Sequence, residues 1–220
     1  AGYGVIRHAG LAAGPGVMTR ATIRQILASL AALPLLAMPS VAAADLLQRV
    51  IDSGTLRVCI WPDYFGVSFR NPRTQTLSGI DIDNAHDLGE ALGVGVTFVD
   101  SAFSRFIEDL TNDRCDIAMF GLVATPERAA RLQFTSAYLR SDIYAITTRA
   151  NRRILTWADI DRPDVVVAVA KGTLQESVMR ERLTSATLRV FDTPGAREQE
   201  VHSGRADVFM TDYPDRKSVV

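Results

Sequence analysis

Arg128 is the residue whose type and position most clearly point to chemistry. A short apolar run at 117–120 predicts a buried strand, and Thr125 and Pro126 then suit the N-cap and the first position of a helix. Arg128 would therefore project from the first turn of a helix that follows a buried strand, and α/β domains bind ligands at that end of their strands. A guanidinium there can hold a carboxylate through two parallel hydrogen bonds. A solvated surface arginine remains the alternative on local sequence alone.

Asp81 and Asp83 are a second pattern of interest, because two neighbouring carboxylates can bind a metal or exchange protons. Both precede an apolar-periodic segment at Ala85, Leu88 and Leu92. We therefore interpret them as structural residues that cap the start of a helix and complement its dipole.

Lys171, Gly172 and Thr173 lie between an apolar run at 165–170 and a predicted helix at 175–183. The segment is similar to a phosphate-binding turn, but the upstream glycine and the Gly-Lys-Ser/Thr order are missing. It is not a P-loop.

Composition excludes several classes of protein. The 220 residues are 47% hydrophobic and 22% charged, as in a soluble globular protein, and they suffice for one or two domains. The net charge is −1, so the chain lacks the basic field of a nucleic-acid-binding protein. His86 and His202 are far apart in sequence and no C-x-x-C occurs, so we predict no metal and no cofactor.

The two cysteines, Cys59 and Cys115, lie in or beside predicted strands with apolar neighbours. A disulfide is permitted in an exported protein, but isolated cysteines in apolar strands are more often buried small hydrophobes. We predict two free thiols.

The N-terminal 44 residues read as a leader. Met18–Ala44 combines arginines, a short apolar core and a small-residue cleavage site, which is the pattern of a secretory signal peptide. Ala1–Val17 would be upstream sequence, and the mature protein would begin at Asp45. We therefore expect export to the periplasm.

Strands and helices alternate beyond the leader, which favours an α/β fold with parallel βαβ units. Strands are predicted at 56–60, 94–99, 117–120, 143–148, 165–170, 188–191 and 208–210. The residues Phe103, Phe106, Ile107 and Leu110 are predicted to form one helix face.

The stretch 117–139 resembles the core of periplasmic amino-acid-binding proteins, the extracellular solute-binding family that serves ABC importers. In that family a T-x-x-R is followed by F-S-x-x-Y. Here the corresponding residues are Thr125, Arg128, Phe134, Ser136 and Tyr138, the last three at close to the family spacing. A second family signature appears as Gly79-Ile80-Asp81-Ile82-Asp83, although Asn84 departs from the apolar residue usually found next. The resemblance extends from about Asp45 to the end.

The resemblance implies a two-lobed fold in which each lobe is a mainly parallel sheet flanked by helices. Lobe 1 would span 45–147 and lobe 2 would span 148–220, with a crossing strand at 143–148. Relatives continue further and return to lobe 1, so the chain is expected to be C-terminally truncated.

The resemblance also implies roles for individual residues. Arg128 and the turn at Thr173 would bind the carboxylate of an amino acid, and Asp212 its ammonium group. Tyr64 or Phe65, from the aromatic loop 61–69, would pack on its side chain. Without the resemblance, Asp212 reads as a turn residue before Tyr213-Pro214. The expected partners are a small-molecule ligand and an ABC permease in the inner membrane.

Two departures bear on function. Relatives often carry a serine two residues after the position of Gly121, where this chain has Val123, which favours weaker binding of the ammonium group.

The same fold hosts cyclohexadienyl dehydratase, which removes water and carbon dioxide from prephenate or arogenate, and short stretches of this chain resemble that branch. Its general-acid glutamate would stand at Gln175, which cannot deliver a proton. Glu176 beside it would point elsewhere on the helix. The enzyme is therefore the first alternative to a transport receptor, and a non-functional truncated remnant is the second.

Overall fold

The computed structural model describes residues 3–7, by their backbone alone, together with 46–192 and 195–212. The predicted signal peptide at 18–44 lies outside these described residues.

Two sheets and a small hairpin-like sheet organise the chain. The first sheet has the strand order β6-β2-β7-β1-β8, the second has the order β11-β10-β12-β9, and β3-β4-β5 form the small sheet. The strands are β1 (Tyr3–Arg7), β2 (Thr55–Ile60), β3 (Asp63–Tyr64), β4 (Ser68–Arg70), β5 (Leu77–Ser78), β6 (Gly95–Asp100), β7 (Ile117–Leu122), β8 (Leu132–Phe134), β9 (Ile143–Ile146), β10 (Val166–Ala170), β11 (Thr187–Phe191) and β12 (Val208–Asp212).

Helices flank the two larger sheets, as expected for parallel βαβ units. They are α1 (Leu46–Ser53), α2 (Ile80–Leu92), α3 (Phe106–Thr111), α4 (Pro126–Ala129), α5 (Leu174–Arg182) and α6 (Ala196–His202), and a 3₁₀ helix lies at Trp157–Asp159. Within the described ranges no helix is both long and apolar enough to cross a membrane.

The first lobe is built on β2, which pairs in parallel with β6 on one side and β7 on the other. Its apolar residues are buried on both faces, because helices cover the sheet from either side. Val58 and Ile60 pack into the core with Val50 of α1, whereas Cys59 faces the opposite core with Phe106 of α3. This explains why β2 and β7 read as continuous apolar runs.

Residues 3–7 form β1, an antiparallel strand between β7 and β8. Val5 is the register partner of Ala118 on one side and of Phe134 on the other. Ala1–Val17 was predicted to be upstream sequence, whereas residues 3–7 of that stretch pair within the first sheet.

The second lobe is centred on β10, which pairs in parallel with β11 and β12. Strand β9 completes this sheet by pairing antiparallel with β12, so that Ile143 faces Asp212. The second sheet therefore starts at Ile143, and the predicted lobe boundary between 147 and 148 falls after its first strand rather than before it.

The prediction of two free thiols is wrong. Cys59 and Cys115 form a disulfide whose Cα atoms are 5.6 Å apart. Both residues are buried in the core beneath α3, next to Phe106. Local apolar neighbours indicated burial correctly, but they carry no information about a partner that lies 56 residues away.

The helix face predicted for α3 is also partly wrong. The helix begins at Phe106, and Phe103 lies in the loop that precedes it. The ring of Phe103 packs edge-on against Phe120, with the two ring centroids 5.0 Å apart.

Candidate ligand-binding site

A small cavity of about 50 Å³ lies between the two lobes. It is found where β7 and β12 end, which is the edge at which α/β sheets place their ligands. Six of the eight candidate site residues named from the sequence line it: Tyr64, Gly121, Val123, Arg128, Gln175 and Asp212.

The remaining two predicted residues lie elsewhere. Thr173 lines a smaller neighbouring cavity together with Gln175 and Asp212. Phe65 is 39% exposed and packs its ring against Phe69, outside both cavities. Of the two aromatic candidates, only Tyr64 therefore faces the space between the lobes.

The chain positions Arg128 as its sequence predicts. Thr125 is the N-cap of α4, and its hydroxyl accepts a hydrogen bond from the backbone N–H of Arg128 at 3.3 Å. Pro126 occupies the first helical turn, where its missing N–H costs nothing. These two residues fix the start of a four-residue helix and so aim Arg128 into the cavity.

The guanidinium of Arg128 is buried, with the residue only 8% exposed. Its Nη1 donates to the carbonyl of Val123 at 2.8 Å, and its Nη2 donates to the carbonyl of Gly172 at 2.7 Å in the other lobe. The group also lies 5.3 Å from the centre of the Phe106 ring. Burial lowers the pKa of Arg128 from its usual value, and the negative charge of the neighbouring Glu127 only partly opposes this shift.

Asp212 ends β12 and faces Arg128 from the second lobe. Its Oδ2 accepts hydrogen bonds from the hydroxyl of Tyr64, which belongs to the first lobe, and from Nε2 of Gln175 at 3.5 Å. The Tyr64 ring can approach because position 121 is a glycine, where an added Cβ would stand 3.0 Å from Cε1 of Tyr64. The site thus places a cation and an anion in one cavity on opposite lobes.

The turn before α5 is held by its own side chains. The Thr173 hydroxyl accepts from the backbone N–H of Glu176 at 3.3 Å and donates to the carbonyl of Ala170 at 2.7 Å. Glu176 Oε2 accepts from the backbone N–H of Gly172 at 2.6 Å. Glu176 therefore points back at the turn and away from Gln175, as the helix geometry predicts.

Asp81 plays a different structural part from the cap that the sequence predicts. Gly79 is the N-cap of α2, and Asp81 is fully buried in the first turn. Its carboxylate accepts from the backbone N–H of Gly121 at 2.8 Å and from the hydroxyl of Tyr138 at 2.6 Å. Burial raises the pKa of Asp81, although both hydrogen bonds favour its charged form. Asp81 thereby ties the cavity end of β7 to the segment that leads into the second lobe.

We expect Asp81→Ala to lower the free energy of unfolding by roughly 1–3 kcal/mol, because the partly buried N–H of Gly121 loses its acceptor. Urea denaturation of the two proteins measures this difference. Asp83→Ala is the matched control, since Asp83 belongs to the same helical turn but is exposed. Equal losses in the two variants would contradict the role assigned to Asp81.

Six further residues that line the cavity were not predicted from the sequence: Phe103, Leu139, Ser141, Asp142, Ile143 and Leu174. Phe103 was assigned to a helix, although an aromatic ring just after a strand end was a signal for the site. Asp142 immediately precedes β9 and carried no motif. Within the described ranges no group of histidine, cysteine and acidic side chains is arranged to hold a metal ion.

Two α/β lobes that meet over a small cavity, with charged groups from each lobe facing it, define the class of two-lobed solute-binding proteins. Residues 56–192 match the profile of the bacterial extracellular solute-binding proteins, family 3, and the chain belongs to that family. The predicted family and fold class are confirmed.

The chain is similar to known proteins of two kinds, an enzyme and amino-acid-binding proteins. Cyclohexadienyl dehydratase of Pseudomonas aeruginosa is 34% identical over 193 residues, which cover 87% of this chain and 72% of the relative. The L-cystine-binding protein TcyJ of Escherichia coli is 28% identical over 192 residues, which cover 86% and 71%. The structure of the ancestral amino acid-binding protein AncCDT-1, a precursor of cyclohexadienyl dehydratase, matches with a TM-score of 0.72 at 36% identity and covers 76% of this chain and 73% of its own.

Proposed function

We propose that this protein binds an amino acid between its two lobes and presents it to an ABC permease in the inner membrane. The observation that carries the proposal is the pairing of Arg128 and Asp212 across one cavity. An amino acid has one carboxylate and one ammonium group, and a guanidinium and a carboxylate are their complementary partners. The site needs no cofactor for this task.

In the present conformation, other groups of the protein are hydrogen-bonded to both Arg128 and Asp212, the two residues proposed to bind the ligand. The Gly172 carbonyl accepts from Arg128, and the Tyr64 hydroxyl donates to Asp212. The cavity itself is also small in this conformation, at about 50 Å³. Ligand entry would therefore begin with separation of the lobes, and closure would replace these internal contacts by contacts to the ligand.

The relatives support an amino acid as the class of ligand. The chain is similar to binding proteins for L-cystine and arginine and to an ancestral amino acid-binding protein, and it belongs to the extracellular solute-binding family 3. The disulfide fits export, because such bonds persist in the bacterial periplasm.

Charge in the cavity favours a cationic amino acid. Two negatively charged residues, Asp142 and Asp212, line the cavity, together with one positively charged residue, Arg128. A zwitterion neutralises Arg128 and Asp212 and leaves the charge of Asp142 for a second ammonium or guanidinium group. We expect the chain to bind arginine more tightly than citrulline, its neutral isostere, and Asp142→Asn to reduce that preference severalfold. Isothermal titration of both ligands measures the ratio, and an unchanged ratio would contradict this role of Asp142.

A thermal-shift panel tests the proposed function directly. A ligand that binds only the folded protein raises the melting temperature by mass action. The panel contains the common L-amino acids, citrulline, prephenate and arogenate. A shift with one or a few amino acids supports the receptor, and a panel without any amino-acid shift contradicts it.

Cyclohexadienyl dehydratase activity is the second candidate, and the 34% identity to that enzyme favours it. Conversion of prephenate into phenylpyruvate, water and carbon dioxide needs a proton for the departing hydroxide. The position expected to supply it carries Gln175, whose amide donates to Asp212 instead. A prephenate shift in the panel followed by formation of phenylpyruvate would establish the enzyme and overturn the receptor.

A further inference from the structure

The backbones of the two lobes approach each other closely at Gly172. It has a φ of +76°, and a Cβ built on it would lie 2.5 Å from the carbonyl carbon and oxygen of Phe103 and 2.6 Å from Cα of Ser104. Real Cβ atoms do not come within 3.0 Å of other heavy atoms. All three atoms belong to the main chain of the first lobe, so no side-chain rotation would relieve the overlap.

The turn that carries Gly172 is also fixed within its own lobe. The Gly172 N–H donates to Glu176, and the preceding Lys171 N–H donates to the carbonyl of Phe191 at 3.0 Å. Thr173 holds the next position through its bond to Ala170. A bulkier residue at 172 therefore cannot be absorbed by local movement of the turn alone.

We propose that Gly172 is a positioning residue that sets how closely the two lobes shut on the ligand. Its missing side chain lets the turn rest on Phe103 and Ser104, and this contact brings the start of α5 up to Arg128. Gly172 acts through the separation of the lobes, and Arg128 and Asp212 make the ionic contacts. The expected effect of Gly172 on ligand affinity rests on the proposed function. Its effect on the distance between the lobes does not, because that distance is measurable without ligand.

The size of the effect follows from the contact distances. Ordinary contact begins at 3.4 Å, so a methyl group at position 172 displaces the turn by about 1 Å. The bond from Arg128 Nη2 to the Gly172 carbonyl, now 2.7 Å, would then exceed the length of a hydrogen bond. The anchors for the two ends of the ligand would separate by a similar amount.

The test compares Gly172→Ala with Gly195→Ala. Gly195 is in the same lobe and has a φ of +72°, but a Cβ there meets no atom within 4 Å. Both variants place an alanine at a positive φ and so carry the same backbone strain. Only Gly172→Ala also places a methyl group against the main chain of the other lobe. Gly172→Asn and Gly195→Asn form a second pair, because asparagine tolerates this conformation better and guards against a variant that fails to fold.

Nitroxide labels are attached at Glu90→Cys and Glu181→Cys, two exposed positions on opposite lobes. The distance between the labels, measured by pulsed electron paramagnetic resonance without ligand, reports the separation of the lobes. We expect a longer label distance in both Gly172 variants and an unchanged distance in both Gly195 variants. Affinity for the amino acid found by the thermal-shift panel should fall at least tenfold in Gly172→Ala and stay within twofold in Gly195→Ala. Equal distances in the two pairs would overturn the inference. A longer distance without any amino-acid binding, even in the unaltered protein, would instead overturn the proposed function and leave the closure contact standing.

Discussion

Replacing Arg128 by alanine is expected to remove amino-acid binding, with an increase in Kd of at least about thirtyfold and up to a few thousandfold. Truncation of one partner in a buried, hydrogen-bonded charge pair costs about 2–5 kcal/mol, and each 1.4 kcal/mol changes Kd tenfold. Isothermal titration with the ligand identified by the thermal-shift panel measures the change.

The size of this effect depends on where Arg128 lies. Its guanidinium is held between the carbonyls of Val123 and Gly172 and is shielded from water by Phe106. A ligand carboxylate that reaches it is desolvated as well, so their attraction is screened less than it would be on the surface. Losing the guanidinium would leave that carboxylate buried without its counter-charge.

Two further variants make the result specific. Arg131→Ala removes an exposed arginine three residues along the chain and should leave Kd within about twofold, as surface charges contribute little. Arg128→Lys keeps the charge but loses the planar fork, so its Kd should fall between those of the other two variants. Unchanged affinity in Arg128→Ala, in a variant that still melts cooperatively, would contradict the assignment of the carboxylate site.

Local sequence rules located the elements of the site because those rules act over a few residues. Thr125 and Pro126 specify the start of α4 without help from the rest of the fold, and the structure shows the N-cap bond that they predict. The apolar run that forms β7 is short, continuous and buried on both faces, so the sequence also predicted a strand there. The family pattern then placed Tyr64 and Asp212, which have no local signature, at the same cavity as Arg128.

Contacts between distant segments account for what the sequence analysis missed. Asp81 looks like a helix-capping residue from its neighbours, but its partners Gly121 and Tyr138 lie 40 and 57 residues away. The close approach of Gly172 to Phe103 depends on how two lobes pack, and no spacing within either segment encodes it. The strand at residues 3–7 likewise depends on distant partners, because it pairs with β7 on one side and β8 on the other.

The disulfide between Cys59 and Cys115 carries the second large prediction. Replacing both cysteines by alanine is expected to lower the free energy of unfolding by about 2–4 kcal/mol. The cross-link spans 56 residues of sequence, and a loop of that size gives about 4 kcal/mol in the chain-entropy model, in which the bond restricts the unfolded chain. Urea denaturation of oxidised protein and of the double variant measures the difference.

Reduction supplies the control for this prediction. Excess reductant in the denaturation should bring the unaltered protein close to the double variant, because both then unfold to an unconstrained chain. The double variant itself should not respond, since Cys59 and Cys115 are the only cysteines in the sequence. Both residues are buried, so the bond is expected to resist reduction in the folded protein and to break once the chain unfolds. Identical unfolding curves with and without reductant would show that the two thiols remain free in solution, and the argument for an oxidising compartment would then lose its structural support.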